Sequence, residues 1–190
     1  MHDLAQSESD SSHRPGKRER AKASNRKAIL SAAQVVFTRM GFDAATVRDI
    51  VRETKLASGT FYNYFSSKEE VFAALLDDLA LRVRPRIQAA RSQATSLEAF
   101  VRGSIVAFYQ WLRDDREGFE LLRRNAGVLR GRMSTREIVA GFGELHDDIS
   151  QGIAMKVLPR VDAEYLTAAM IGVVFEVGDR MLRREFPDPE

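Results

Sequence analysis

Cysteine is absent from the 190-residue chain, and histidine occurs only three times. The lack of cysteine excludes disulfides, thiolate nucleophiles and cysteine-based zinc sites. His2 and His13 lie in a polar N-terminal segment, which leaves His146 without the additional ligands that a metal site needs. A glycine-rich phosphate loop and a Gly-x-Ser-x-Gly motif are also missing. We therefore expect a protein that is not an enzyme, with no catalytic residue, metal or cofactor.

Long apolar runs are missing as well. No stretch approaches the length of a membrane span, and the N-terminus has no apolar signal-peptide core. We expect a cytoplasmic protein that makes no membrane contact.

Charge is distributed unevenly along the chain. The net charge is only +2, yet the segment 13–27 contains seven basic residues and one acid, Glu19. Such a run is typical of a solvated, disordered tail, and equally of a basic arm that contacts phosphate backbones. The composition leaves both interpretations open.

Apolar residues recur at helical spacing after Ser24, and strand signals are nearly absent. This pattern predicts an all-α chain with a disordered basic arm over residues 1–23, an N-terminal three-helix unit over 24–66 and a larger C-terminal helical bundle over 67–190. In the three-helix unit, two short helices joined by a tight turn after a longer first helix match a helix-turn-helix. Helix starts are predicted at Thr46, Ser58, Ser67, Ser96, Ser134 and Asp162.

The segment "ASGTFYNYFSSKEE" (57–70) is dense in aromatic residues. The spacing of Phe61 and Phe65 turns them toward a core, whereas Tyr62 and Tyr64 are candidates for DNA contact. Lys68 lies in a first helical turn, where a cation opposes the helix dipole unless an anion binds there. A phosphate at this position would explain the lysine, and a tolerated surface lysine is the alternative.

These residues resemble a known family. The stretches "ILSAAQVVFTRMGFDAATVRDI" and "TVRDIVRETKLASGTFYNYFSSKEEVF" are similar to the DNA-binding domain of the TetR family of one-component transcriptional regulators. The resemblance covers about Asn25 to Leu76. It implies that residues 24–66 form a helix-turn-helix DNA-binding domain fused to a C-terminal helical bundle for ligand binding and dimerisation over 67–190. It also implies a homodimer that binds a palindromic double-stranded DNA operator, usually as a repressor. Many members have Ala-Gly in the turn where this chain has Thr54-Lys55.

The resemblance also implies which residues contact DNA. Those at the start of the second helix would reach phosphate or a base edge, those on the third helix would form the reading surface, and Tyr62 and Lys68 would clamp phosphates. In chain order they are Thr46, Arg48, Ser58, Gly59, Thr60, Tyr62, Asn63, Tyr64 and Lys68.

The last predicted helix is apolar nearly all round, so most of its surface should be buried. Its small residues favour close approach of another helix, in a symmetric dimer or within one subunit. Dimers of the family form there and usually pair two C-terminal helices per subunit, and a further helix could begin at Asp188. The predicted interface comprises Ala168, Ala169, Gly172, Val173 and Glu176; Glu176 could instead anchor a ligand.

A ligand pocket is predicted inside the bundle. Its candidate walls are large and apolar, with few polar groups, which suggests a small apolar or amphipathic effector of the fatty acyl or aromatic class. His146, beside two aspartates, is also compatible with a surface position. The candidates are Phe100, Phe108, Tyr109, Leu122, Asn125, Phe142, Leu145, His146, Ile149 and Phe175.

A second function class fits the composition. A helical lipid-binding carrier or interaction module with a basic, membrane-contacting tail would bind anionic vesicles and show no sequence preference on DNA. It leaves the arrangement of Thr60, Tyr62 and Lys68 unexplained.

Overall fold

The computed structural model describes residues 16–132 and 134–183. Over these residues the chain is all-α, as predicted, with a 3₁₀ turn at Arg130–Arg132 and no strand. None of the described helices is both long enough and apolar enough to cross a membrane. The helices are α1 Lys17–Met40, α2 Val47–Glu53, α3 Ser58–Tyr62, α4 Lys68–Ser92, α5 Leu97–Asp114, α6 Arg116–Arg124, α7 Ala126–Leu129, α8 Arg136–Ala154 and α9 Ala163–Arg183.

The first three helices form the predicted helix-turn-helix unit around a small apolar core. Phe37, Ile50 and Phe61, one from each helix, are fully buried there. Burial of three large side chains fixes the angles between helices that are too short to be stable alone. The core therefore decides where the exposed face of α3 points.

Helix α1 begins at Lys17, earlier than predicted. The expectation of a disordered arm over residues 1–23 is wrong for residues 17–23, which are helical, while residues 1–15 lie outside the described part. The Gly16 N–H donates to the Glu19 carboxylate at 3.1 Å, which closes the first turn. The sequence "KRERAKA" consists of strong helix formers, and this propensity outweighs the repulsion within the charge run.

Helix α4 belongs to both parts of the molecule. Ser67 caps its N-terminus, as predicted, and the helix continues through Pro85. Near its start, Phe72 packs edge-to-face on Phe37 of α1, with the ring centroids 5.3 Å apart. Farther along, Leu79 and Val83 are buried in the bundle. The apolar core is therefore continuous across the predicted boundary between residues 66 and 67.

The start of α8 differs from the predicted capping box at Ser134. Thr135 precedes the helix, and its side chain makes no capping hydrogen bond. Instead the Glu137 N–H donates to the Asp77 carboxylate of α4 at 2.9 Å. A carboxylate is favourable at a helix N-terminus, and here it also ties α8 to α4.

The helix-turn-helix unit is joined to the bundle by a buried asparagine. Asn125, at the end of α6, accepts a hydrogen bond from the Phe42 N–H at 2.6 Å. Its amide nitrogen donates to the carbonyls of Phe37 at 3.3 Å and Leu121 at 2.7 Å. We call the α1–α2 turn at Phe42, together with Asn125, the interdomain joint.

Replacement of Asn125 tests this joint. Asn125→Ala leaves the buried Phe42 N–H and Phe37 carbonyl without their partner, so we expect a loss of about 2 kcal/mol in the free energy of unfolding. Urea denaturation measures this loss. Gln110→Ala, at an exposed position on α5, is the control and should change stability little. Equal stability of the two variants would contradict the role of Asn125.

Candidate nucleic-acid interface and ligand cavity

The reading helix α3 presents one buried face and one exposed face. Phe61 and Phe65 are buried, which confirms their predicted place in the core. Ser58, Gly59, Tyr62 and Asn63 are exposed, and Thr60 is half-buried between the two faces. A Cβ atom added at Gly59 would meet no atom within 4 Å, so the surface there is open. The residues assigned to DNA contact on α3 thus share the solvent side.

The two tyrosines occupy different environments. Tyr62 is 61% exposed, so its hydroxyl is available to an external partner. Tyr64 is half-buried, and its hydroxyl accepts a hydrogen bond from the Asn25 amide of α1 at 3.3 Å. Tyr64 therefore fastens α3 to α1, in addition to any contact it makes with DNA.

The start of α2 is built around Thr46 and Asp49. The Thr46 N–H donates to the Asp49 carboxylate at 3.0 Å, and the Asp49 N–H donates to the Thr46 hydroxyl at 3.3 Å. The hydrogen bonds from Thr46 lower the pKa of Asp49, which keeps this carboxyl ionised. Thr46 is therefore the N-cap of α2. Arg48, the second residue of this helix, is exposed.

The turn between α2 and α3 uses a hydroxyl in place of an Ala-Gly pair. The Thr54 hydroxyl donates to the Val51 carbonyl at 2.8 Å, and the Leu56 N–H donates to the Thr54 hydroxyl at 3.1 Å. Leu56 packs on the core just below. The side chain of Thr54 therefore closes the turn that leads into α3.

Lys68 makes contacts within the protein that its sequence position did not reveal. Its ammonium donates to the carbonyls of Phe42, Asp43 and Ala45 at 2.8, 3.2 and 2.9 Å. It also lies 4.5 Å from the centroid of the Phe42 ring. An ammonium has three donors, and all three are engaged within the protein. Lys68 therefore fixes the α1–α2 turn, and its contact with a DNA phosphate stays a prediction.

A basic ridge along α1 borders the reading helix. Arg18, Lys22 and Arg26 follow one another at four-residue spacing, so they lie on one helix face. The Arg26 guanidinium lies 5.4 Å from the centroid of the Phe65 ring, which places this face beside the end of α3. The extra helical turns of α1 therefore extend this positively charged face beyond Arg26.

A second surface feature runs along α9. The five residues of the predicted dimer interface are all exposed in the single chain, and Val173 is 47% exposed. Glu176 pairs with Arg180 on the same helix at 2.9 Å, so it is not an anchor of the cavity. Val177 and Met181 extend the apolar stripe toward the end of α9. Residues 184–190, including Asp188, lie outside the described part.

The bundle encloses a cavity of about 440 Å³ between α4, α5, α8 and α9, with α6 and α7 at one end. Its volume lies in the range of small-molecule sites, and its walls are mostly apolar. Half of the ten residues predicted for a pocket line this cavity. They are Phe108, Leu122, Phe142, Leu145 and Phe175.

The other five predicted pocket residues do not line the cavity. Phe100 and Ile149 are buried in a separate apolar cluster, and Asn125 is taken up by the interdomain joint. The Tyr109 hydroxyl donates to the Val174 carbonyl at 3.4 Å, and burial raises its pKa. His146 is half-buried elsewhere on α8. Helical spacing placed these residues on inward faces without showing which inner space they face.

Two arginines of α4 were missed by the sequence analysis. Arg84 and Arg91 both line the cavity, each paired with carboxylates of α8. They stand seven residues apart, so they share a helix face with apolar residues. That spacing is the one sequence signal that could have revealed them.

The N-terminal part of the chain matches a known family. Residues 29–75 match the family model of bacterial regulatory proteins of the tetR family. This segment is a TetR-family DNA-binding domain. The match covers α2 and α3 entirely, with the second half of α1 and the first two turns of α4. Proteins of this family are DNA-binding transcriptional regulators, so the chain carries a DNA-binding helix-turn-helix.

Solved structures of TetR-family regulators share the fold of the whole chain. The fatty acid degradation regulator FadR from Bacillus halodurans is 20% identical, with a TM-score of 0.67, over 89% of this chain and 86% of that one. FadR from Bacillus subtilis, solved with stearoyl-CoA, is 19% identical, with a TM-score of 0.66, over 82% and 86%. The ketosteroid regulator KstR2 of Mycobacterium tuberculosis is 21% identical, with a TM-score of 0.52, over 86% and 85%.

Lys68→Met separates the two roles of this TetR-family lysine. If Lys68 fixes the turn, the variant loses about 2 kcal/mol in the free energy of unfolding, because hydrogen bonds to a charged donor disappear. The salt dependence of DNA binding should then stay the same. Chemical denaturation and a salt titration of DNA affinity measure the two quantities, with the exposed Lys55→Met as control. A phosphate clamp would give the reverse: unchanged stability, and a salt slope lower by roughly 0.9 for each lost contact.

Proposed function

We propose that this protein is a transcriptional repressor that binds a palindromic operator as a homodimer and is released by a small apolar or amphipathic effector. The observation that carries the proposal is the division of α3. Phe61 and Phe65 anchor the helix in a rigid core, so that Thr60, Tyr62 and Asn63 stand on its outer side. A short helix held in this way is suited to the major groove.

The homodimer is proposed from the surface of α9. An apolar stripe with small residues, exposed along most of a 21-residue helix, is unusual for a monomer. Pairing of two such helices around a two-fold axis would bury it. In such a dimer the two reading helices would lie about 34 Å apart, one turn of DNA.

The effector class is proposed from the cavity and its apolar walls. Large aromatic and aliphatic side chains line it, which favours a fatty acyl or aromatic compound. Two proteins of the same fold support this class. Bacillus subtilis FadR was solved with stearoyl-CoA, and KstR2 is a ketosteroid regulator. The ligand acts only through a difference in affinity between the DNA-bound and released conformations.

Helix α4 would transmit the change. It lines the cavity through Leu76, Leu79 and Val83, and its first turn contacts the helix-turn-helix unit. A shift of α4 in the bundle would therefore move α3 in both subunits and alter their spacing.

Removal of the reading side chains tests the DNA assignment. Thr60→Ala combined with Tyr62→Ala should abolish operator binding, since both contacts with DNA are lost while the buried Phe61 and Phe65 are retained. Gel-shift titration measures binding, and circular dichroism with sedimentation controls for fold and dimer. Normal binding by the double variant would show that α3 is not the reading helix.

The basic ridge should contribute to DNA affinity through contacts with backbone phosphates. Arg18→Gln combined with Lys22→Gln removes two such contacts per subunit, and we expect the slope of log K against log salt to fall by roughly 3 to 4 per dimer. Arg102→Gln with Arg160→Gln removes the same charge from the bundle and is the matched control. An equal effect of both pairs would mean that only net charge matters.

A charged side chain introduced on α9 tests the proposed dimer surface. Gly172→Arg should yield monomers without operator affinity, because a Cβ there meets nothing within 4 Å in the single chain but an arginine would separate two paired helices. Analytical ultracentrifugation reports the mass. Val106→Arg, at an exposed apolar position on α5, is the control and should remain dimeric. A dimeric Gly172→Arg protein would place the interface elsewhere.

A further inference from the structure

The cavity wall contains a closed ion cluster centred on Arg84. Its Nε donates to the Glu144 carboxylate at 2.8 Å, its Nη2 reaches the other Glu144 oxygen, and its Nη1 lies 3.0 Å from Glu137. The Gln88 amide donates to Glu144 at 2.9 Å. The hydrogen bonds from Arg84 lower the pKa of Glu144, so this residue is a carboxylate at neutral pH.

The second arginine of the cavity is also paired. The side chain of Arg91 is only 10% exposed, and its Nη1 lies 3.1 Å from the Asp148 carboxylate. Its Nε donates to the Ser104 hydroxyl at 3.4 Å. That hydroxyl in turn donates to the Phe100 carbonyl at 2.8 Å. Arg91 is therefore held against α5 and α8 by protein groups.

Carboxylates outnumber arginines around the cavity. Its lining has two cations, Arg84 and Arg91, and three carboxylates, Glu137, Glu144 and Asp179. Asp148 adds a fourth carboxylate just behind Arg91. Glu137 and Glu144 are paired with Arg84, and Asp179 also has an interaction partner. All three nitrogens of Arg84 are bound to carboxylates, and the charge of Arg91 is balanced by Asp148.

A negatively charged headgroup would meet an unfavourable environment here. At Arg84 it would have to displace Glu137 or Glu144, which would leave that carboxylate near the ligand and without its partner, and loss of one partner of a charged pair in a site of low dielectric is costly. At Arg91, which is bound through Nε and Nη1, it could reach only Nη2 and would lie beside the Asp148 carboxylate. A cationic headgroup would be repelled by both guanidinium groups and would compete with them for the same carboxylates. An uncharged group can accept or donate one hydrogen bond and leave both ion clusters intact.

We propose that the cavity selects an uncharged effector, so that the part of the ligand inside the bundle carries no carboxylate, sulfonate, phosphate or ammonium group. This inference rests on the proposed role of the cavity as the effector site and narrows the effector class. A fatty acyl ester, thioester or amide qualifies, as do a long-chain alcohol and an aromatic or polycyclic ketone. A free fatty acid does not.

Competition for a neutral fluorescent probe tests the selection. N-phenyl-1-naphthylamine is uncharged and fluoresces when it enters an apolar site. We would titrate the bound probe on the full-length protein with dodecanol, dodecanoate and dodecylammonium, which share one chain and differ in charge. At neutral pH, dodecanol should displace the probe at a concentration at least about tenfold lower than either ion, the size expected from one unpaired charged hydrogen-bonding group. Equal competition by dodecanoate and dodecanol would overturn the proposal.

Variants that release Arg84 or Arg91 supply the second test, because they should change the preference for dodecanol over dodecanoate. Glu144→Gln frees two donors of Arg84, and Asp148→Asn independently frees Arg91, so each variant should bind dodecanoate about tenfold better and dodecanol unchanged. Glu120→Gln removes a carboxylate that pairs with Arg123 on the outside of α6, and is the matched control. The proposal would be contradicted if dodecanoate affinity were the same in all three variants.

A blocked cavity distinguishes failure of this inference from failure of the proposed function. Gly141 lines the cavity, and a Cβ there meets nothing within 4 Å, so Gly141→Leu projects into the space. It should abolish probe binding. Probe binding that survives Gly141→Leu, or that is absent from the unaltered protein, would refute the cavity as effector site and with it the charge selection. Probe binding lost in Gly141→Leu but indifferent to ligand charge would refute the charge selection alone.

Discussion

Asn125 accepts a short hydrogen bond from the Phe42 N–H, and the positions of α2 and α3 relative to the bundle depend on it. The turn that contains Phe42 is fixed from several sides. Lys68 binds its carbonyls, and the guanidinium of Arg132 lies 4.2 Å from the centroid of the Phe42 ring. Buried polar groups must keep their partners, so this turn cannot move unless α6 and the start of α4 move with it.

The same joint lies next to the cavity. Leu122 and Ala126, on either side of Asn125, line the cavity, whereas Asn125 itself faces α1. A ligand that pushes on this wall would displace the end of α6, and the Phe42 turn is attached to that end. Together with α4, this gives two mechanical connections between the cavity and α3. Close-packed interiors transmit such shifts because they have little free volume to absorb them.

Local signals allowed much of the fold to be predicted. Thr46, Ser67, Ser96 and Asp162 cap helices as expected, because the bonds they make are with residues three or so positions away. The start of α8 could not be predicted in this way, since Asp77 reaches it from another helix. The length of α1 was underestimated because a dense charge run can be either a tail or a helix.

The sites were predictable to different extents. The exposed residues of α3 followed from the contrast between inward phenylalanines and outward polar residues. The role of Lys68, the position of Asn125 and the pairing of Arg84 all depend on contacts across 23 or more residues, which no local pattern encodes. For the cavity, helical spacing identified inward faces but could not show that Phe100 and Ile149 would pack in a separate cluster.

Selection of bound duplexes from a random-sequence DNA library with the purified protein tests the central claim most directly. The account predicts that successive rounds recover a palindrome whose half-sites lie about one helical turn apart. Recovery of duplexes with no shared sequence, bound only through salt-sensitive contacts, would contradict it.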